Sequence, residues 1–312
     1  MPKYRQQLPQ LDGDTFLTDG GLETTLVFHQ GIELPYFAAF DLLNSDAGCS
    51  TLYRYFDTYC RMARENATGF ILESATWRAS ADWGGRLGYD AAALAAINRK
   101  AIAMLSDVRD QYETEASPMV ISGCIGPRGD GYRVEELMTA EEAEQYHAVQ
   151  IRTFAASDAD MVSAFTMTNI PEAIGISRAA ERAGIPVVIS FTLETDGCLP
   201  SGDSLKEAIE AVDTATDSAP VYYMINCAHP THFDHVLADE PWLRRIRGVR
   251  ANASCMSHAE LDQAEELDDG NPEELGAQYR LLQQSLANLN VLGGCCGTDH
   301  RHVDAICRAC VH

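Results

Sequence analysis

Val221-Tyr-Tyr-Met-Ile-Asn226 is an apolar run of β-branched and aromatic residues, bounded by Pro220 on one side and by Cys227-Ala-His-Pro230 on the other. That length and composition read as a strand within a sheet. Working outward, similar runs place eight strands, at Phe16 to Asp19, Gly69 to Glu73, Met119 to Gly123, Asp160 to Ala164, Val187 to Phe191, Tyr222 to Asn226, Gly248 to Asn252 and Val291 to Gly294. Longer amphipathic stretches separate them. In Ala91 to Glu115 the apolar residues Leu94, Ile97, Ala101, Met104, Leu105 and Val108 recur at three- and four-residue spacing, which gives a helix one buried face. Thr139-Ala-Glu-Glu142 has the form of a capping box opening a helix to Ala156. Asn271-Pro-Glu-Glu274 has that of an N-cap followed by proline at the first helical position.

Alternating strands and helices imply a parallel sheet, and eight repeats imply closure into a (β/α)8 TIM barrel, with an open doubly wound sheet as the competing arrangement. No Pro- or Ser-rich linker interrupts the alternation. The 312 residues are therefore expected to form a single domain, with its core at about residues 12–306. Two connections exceed minimal length, Trp77 to Asp90 and Leu193 to Asp203. Both follow strand ends, the face on which barrels build their active sites, so both are expected to shape a substrate pocket.

The composition, 46% hydrophobic and 22% charged, is that of an ordinary globular protein. The 23 Lys and Arg against 46 Asp and Glu set a net charge of −23. Such a field repels phosphate backbones and anionic headgroups, which argues against nucleic acid and membrane surfaces as partners. Met1-Pro-Lys-Tyr-Arg-Gln-Gln7 lacks the apolar core of a signal peptide, and no apolar run nears the roughly 20 residues of a membrane span. A cytoplasmic location is expected. There the 10 cysteines stay reduced, so clustered ones are candidates for metal binding or catalysis ahead of disulfides.

Cys227 directly follows the sixth strand, and Cys295 and Cys296 directly follow Asn290-Val-Leu-Gly-Gly294 at the eighth. In a barrel these strands are near neighbours, so thiolates remote in sequence converge on one point. Gly293 and Gly294 are expected to let the backbone turn sharply and aim the adjacent cysteines inward. Three thiolates leave one vertex of a zinc tetrahedron open, which separates catalytic from structural sites. A substrate thiol fits that vertex: it is deprotonated at neutral pH, yet it stays nucleophilic because the thiolate ligands already cancel the metal's charge. By spacing alone, buried structural cysteines are the commoner reading, and the barrel context is what favours metal.

At this point the residues resemble a known family, the zinc-dependent homocysteine S-methyltransferases. Thr18-Asp-Gly-Gly-Leu-Glu-Thr24, Ile225-Asn-Cys-Ala-His-Pro230 and Gly293-Gly-Cys-Cys-Gly-Thr-Asp-His300 carry the resemblance, with Ser190-Phe-Thr-Leu193 and Leu199-Pro-Ser-Gly202 in support. It spans about Asp12 to Ile306, and Gly-Gly-Cys-Cys-Gly is its most specific element. The resemblance implies a (β/α)8 barrel, Zn2+ held by Cys227, Cys295 and Cys296, and a thiol acceptor. It also places Asp19 on the amino group of an amino-acid acceptor. Backbone amides from Gly20 and Gly21 to Leu22 are free to receive the acceptor's carboxylate.

One position departs from the family. Phe165, in Met161-Val-Ser-Ala-Phe165-Thr-Met167, stands where the family resemblance expects a glutamate as the second contact to the amino group. This favours a different thiol or a rewired ammonium site, and Glu73 at the end of the second strand is a carboxylate able to compensate. Trp77 and Trp83 are placed to line a pocket for a cationic donor by cation–π attraction, although packing is the commoner role for each. His229, His232, His235, His300 and His302 lie just beyond the cysteine strands and compete as ligands, with supporting roles the better reading. Cys307 and Cys310 with His312 have metal-like spacing but no further nearby pair to complete a site.

The chemistry expected is transfer of a methyl group from a sulfonium donor, S-methylmethionine or S-adenosylmethionine, to homocysteine, giving methionine. No catalytic side chain is required beyond the zinc site. The alternatives are a methyltransferase for another thiol or selenol, and a zinc-dependent lyase or hydrolase on the same barrel. The sequence leaves homo-oligomerisation open.

Overall fold

The computed structural model describes residues 1–311 apart from 135–136, 238–239 and 265. Its strands are β1 Phe16–Leu17, β2 Gly69–Glu73, β3 Met119–Ile125, β4 Met161–Met167, β5 Val187–Thr192, β6 Pro220–Asn226, β7 Ile246–Ala251 and β8 Val291–Gly294. Each pairs in parallel with the next, and β8 closes on β1, so the sheet is a closed eight-stranded (β/α)8 barrel as the alternation predicts. Closure buries both faces of every strand, because successive side chains point to opposite sides. Phe70, Leu72, Ile121, Ile189, Phe191, Ile225, Val249 and Leu292 pack outward against the helices. Phe16, Ile71, Val120, Met161, Phe165, Val188, Tyr222, Met224 and Val291 fill the interior. Each such side chain contributes roughly 1.5–3 kcal/mol of burial.

The longer helices are α1 Asp46–Glu65, α2 Ala91–Tyr112, α3 Ala140–Ala155, α4 Ile170–Ala183, α5 Leu205–Thr216, α6 Pro272–Ser285 and α7 His300–Val311. All six apolar residues singled out in α2 are buried, and the Asp90 side chain accepts a hydrogen bond from the Ala93 amide at its start. The capping box at Thr139 and Glu142 is present at α3. At α6 the Asn271 side chain accepts from the amides of Glu273 and Glu274.

One unit departs from the pattern: among the described residues, β6 and β7 are joined by three short 3-10 turns, Pro230–His232, Asp234–Val236 and Pro241–Arg245, in place of a helix. Pro230 and Pro241 each open a turn, and a proline cannot donate the backbone hydrogen bond that would carry a preceding turn through it.

The N-terminal segment closes the barrel's lower mouth. Leu8 joins the interior cluster, the buried Gln10 reaches the Tyr222 hydroxyl at 3.4 Å, and the Tyr4 amide donates to Asp160 at 2.7 Å. Among the described residues no helix is long and apolar enough to cross a membrane.

Candidate metal centre and adjoining pocket

The three cysteines meet where β6 and β8 end. The sulfurs of Cys227, Cys295 and Cys296 all lie within 4.8 Å of one another, and Cys227 Sγ is 3.9 Å from Cys296 Sγ. Sulfurs sharing a tetrahedral zinc at about 2.3 Å each stand about 3.8 Å apart, so the donor set fits the ion in both spacing and softness. Local backbone produces this convergence. Cys227 has φ 53°, a left-handed conformation unusual for a residue with a side chain, and it turns the chain at the end of β6. The Cys295 amide donates to Ala251 O at 2.8 Å and the Ala253 amide to Cys296 O at 3.0 Å, which extends the β7–β8 ladder under the thiols.

The two glycines before Cys295 act differently from the sharp turn expected of them. Neither has positive φ. A Cβ on Gly293 would fall 1.9 Å from Thr18 Oγ1, and one on Gly294 would fall 2.1 Å from Thr298 Oγ1. They are small because the end of β1 and the loop after β8 press against them.

Side chains that the sequence did not single out frame the thiols. Asn226 Oδ1 accepts from the Thr166 amide at 2.9 Å and from Ser190 Oγ at 2.6 Å, while its amide nitrogen donates to Thr166 Oγ1 at 3.0 Å and faces Cys295 Sγ at 4.0 Å. It thus binds β4, β5 and the metal centre together. The Tyr132 hydroxyl lies 3.2 Å from Cys296 Sγ and 3.7 Å from Cys227 Sγ. Burial and the cysteines push its pKa well up, so it remains a donor. The His258 ring packs against Tyr132 with centroids 4.5 Å apart at a tilt of 43°, and its Nε2 donates to Cys227 O at 2.6 Å. Hydrogen bonds from the thiols of Cys227 and Cys296, helped by the Arg250 charge, hold Cys295 well below the ordinary thiol range. Cys227 and Cys296 are pushed up in turn.

Beside the cysteines, Asp19 is buried at the end of β1. Its Oδ2 accepts from the Tyr55 hydroxyl at 2.8 Å, and its Oδ1 stands 2.7 Å from Arg250 Nη2. That last approach pairs the charges without hydrogen-bond alignment, which leaves Oδ1 with no aligned donor. Arg250 also donates from Nε to Gly294 O at 2.9 Å and from Nη2 to Gly20 O at 3.0 Å, and its guanidinium lies 5.0 Å from the Phe165 ring centre. Glu73 is buried inside the barrel with Oε2 unpartnered, and burial raises its pKa to about 7 against the lowering effect of Arg250.

The Gly21 amide is already taken by Thr298, and a Cβ on Gly21 would sit 2.6 Å from Cys295 O. Gly21→Ala must therefore displace the backbone that carries a cysteine. It is expected to weaken metal binding by about tenfold or more, as read by competition with a chromophoric chelator.

Trp77 and Trp83 each carry a cation on the ring, and it is the chain's own: Arg78 stacks 3.9 Å from one and 3.8 Å from the other. Trp77 also donates to Phe165 O at 3.4 Å. Four of the five histidines are engaged elsewhere, and His300 is exposed at the start of α7. His229 pairs with Thr231, His232 with Cys255 O, His235 with Asp196 O and His302 with Asp269 O. Among the described residues, only Cys227, Cys295 and Cys296 form a group able to hold a metal ion. Cys307 and Cys310 are free thiols, and His312 lies outside the described residues.

Arg250 had a signal in the sequence. It is a charged residue at an inward position, two along from Gly248, in a strand whose other residues apart from Arg247 are apolar or small. Tyr132 had none, since it lies in a glycine-rich loop whose path is set by contacts with distant strands.

Comparison with known proteins agrees with this geometry. Residues 16–310 match the family described as homocysteine S-methyltransferase. The chain is 23% identical to the selenocysteine Se-methyltransferase of Brassica oleracea var. italica, over 96% of this chain and 90% of that protein. It is also 23% identical to homocysteine S-methyltransferase 2 of Arabidopsis thaliana, over 94% and 92%. The fold matches the crystal structure of the homocysteine methyltransferase MmuM from Escherichia coli in its oxidized form, with a TM-score of 0.76 at 19% identity, covering 97% of this chain and 99% of that one. The metallated form of the same protein matches with a TM-score of 0.69 at 18% identity, over 98% and 99%. A closed (β/α)8 barrel with three cysteines gathered at its C-terminal face, and a family match over nearly the whole chain, make this protein a member of the homocysteine S-methyltransferase family and thus a methyltransferase of thiols or selenols.

Proposed function

We propose that this chain is a zinc-dependent thiol S-methyltransferase that takes its methyl group from a sulfonium donor, S-methylmethionine or S-adenosylmethionine. The observation that carries the reading is the triad of sulfurs within 4.8 Å at the strand ends. Zinc held by Cys227, Cys295 and Cys296 would supply Lewis-acid activation of the acceptor thiol. Tyr132 donates toward Cys296 and Cys227 and so tempers the charge on those sulfurs, while His258 steadies the carbonyl of Cys227 and packs against Tyr132. Trp77, clamped between Arg78 and the Phe165 carbonyl, would shield the transferring methyl group from water. The donor's methyl carbon–sulfur bond breaks with its electron pair staying on the donor, which leaves as a neutral thioether. The acceptor sulfur, having released its proton to solvent, forms the new bond to the methyl carbon.

Family membership makes homocysteine, giving methionine, the first acceptor to test. The pairing of Asp19 with Arg250, and Phe165 nearby, favour another thiol or selenol. A donor-by-acceptor screen with zinc-loaded protein, reading methylated product by mass, tests the proposal. Product is expected with sulfonium donors and not with betaine, and no product from any thiol would overturn the reading.

Metal uptake should depend steeply on pH. Cys295 is held as thiolate, but Cys227 and Cys296 are pushed up and must each release a proton to bind. Affinity is therefore lost as pH falls, by about tenfold per unit for each proton released. Chelator competition between about pH 6 and pH 8 measures that slope, and a flat profile would contradict these protonation states.

A further inference from the structure

The strand ends beside the cysteines hold a cation of their own, Arg250, against Asp19 and Gly294. We propose that the acceptor thiol of this enzyme carries no ammonium group, because the Arg250 guanidinium occupies the place beside Asp19 that an ammonium would take. The proposal rests on the methyl-transfer reading above and specifies the substrate class for the same site.

Three features support it. Arg250 is buried and bound to the ends of both β1 and β8: Nη2 is 2.7 Å from Asp19 Oδ1 and 3.0 Å from Gly20 O, and Nε is 2.9 Å from Gly294 O. The cation is therefore part of the frame that positions Cys295. On its other side stands the Phe165 ring, 5.0 Å from the guanidinium carbon, so this flank offers an apolar surface and no second carboxylate. Beside Asp19 and the Cys295 sulfur, the Arg250 charge reaches the carboxyl groups of Glu73 and Glu23, and burial pushes both up to about 7, so neither offers a full counter-charge at neutral pH.

An ammonium needs at least one carboxylate whose charge is not already balanced. Here it would meet Asp19 with a guanidinium 2.7 Å from the receiving oxygen, and like-charge repulsion would oppose the bond. An uncharged or anionic tail meets no such repulsion. Among the described residues Arg250 Nη1 makes no hydrogen bond, so a carboxylate tail also finds a donor there.

Four thiols that differ only in the groups of interest decide the matter. Homocysteine carries both amine and carboxylate, 4-mercaptobutyrate lacks the amine, 3-mercaptopropylamine lacks the carboxylate, and 1-propanethiol lacks both. Binding is read without turnover, from the thiolate-to-cobalt absorption of the cobalt(II)-substituted protein, and methylation by the zinc form is read by product mass. Each amine-free thiol is expected to bind about tenfold or more tightly than its amine-bearing partner, with the same order in kcat/KM. Arg250→Gln unmasks Asp19, and Phe165→Glu adds a carboxylate while leaving Arg250 in place. Each is expected to move the homocysteine to 4-mercaptobutyrate ratio about tenfold toward homocysteine. Phe165→Glu keeps the test informative if Arg250→Gln does not fold.

Homocysteine binding as tightly as 4-mercaptobutyrate would overturn the proposal and leave the methyl-transfer reading intact. An unchanged ratio in the folded variants would also overturn it. If no thiol perturbs the cobalt spectrum, the thiol-at-metal reading fails first and this proposal falls with it.

Discussion

Cys296→Ala is expected to abolish metal retention and to lower methyl transfer by at least about a thousandfold, because two thiolates cannot hold a zinc ion that three hold with a vertex to spare. Cys296 Sγ is the sulfur closest to Tyr132 and lies 3.9 Å from Cys227 Sγ, so its loss opens the triad on the side that faces the loop after β3. The change shortens a half-exposed side chain at the barrel rim, and the barrel core is untouched. Melting of the metal-free protein should therefore be unchanged while bound zinc, measured by elemental analysis, falls toward zero. Cys255→Ala, which removes an exposed thiol outside the triad, should retain both metal and activity. Activity surviving in Cys296→Ala would defeat the metal assignment whatever the acceptor.

The largest loss of stability is expected from Asp160→Ala. Asp160 is wholly buried just before β4, where it accepts from Arg109 Nη1 at 2.9 Å, from the Ile121 amide at 2.9 Å and from the Tyr4 amide at 2.7 Å. One carboxylate thus joins α2, β3 and the N-terminal plug. Its removal leaves a buried guanidinium and two amides without their acceptor, a loss of about 3–5 kcal/mol. Urea unfolding would register this as a lower midpoint. The double change Asp160→Leu with Arg109→Met should recover part of it, since no charge is then left unpaired in the interior. A single variant within about 0.5 kcal/mol of the parent would show that water replaces these bonds.

The eight strands were legible because their signal is local. A short apolar run closed by Gly, Pro or Asn excludes most alternatives before any tertiary contact forms, and α2, α3 and α6 announced themselves by periodicity and caps within one or two turns. Cys227, Cys295 and Cys296 were legible for the same reason: each directly follows a run that must be a strand, and in a closed barrel every strand ends on one face. The helix missing between β6 and β7 was harder to read, since its absence turns on two prolines whose effect depends on where the intervening turns pack.

By itself, then, the sequence determined the barrel and the three sulfurs. The tertiary structure alone decided what surrounds them. Asp19 was visible as an anion at the end of β1, but its partner comes from β7, 231 residues away by the Asp19–Arg250 contact, and the chain between carries no record of that meeting. Trp77 and Trp83 were visible as faces for a cation, and only packing showed that Arg78 already covers them. Tyr132 entered the site through a loop with no periodicity of its own. The division has one physical cause: strand identity is set by neighbours in sequence, whereas the charge balance of a pocket is set by side chains that only barrel closure brings within a few ångströms of one another.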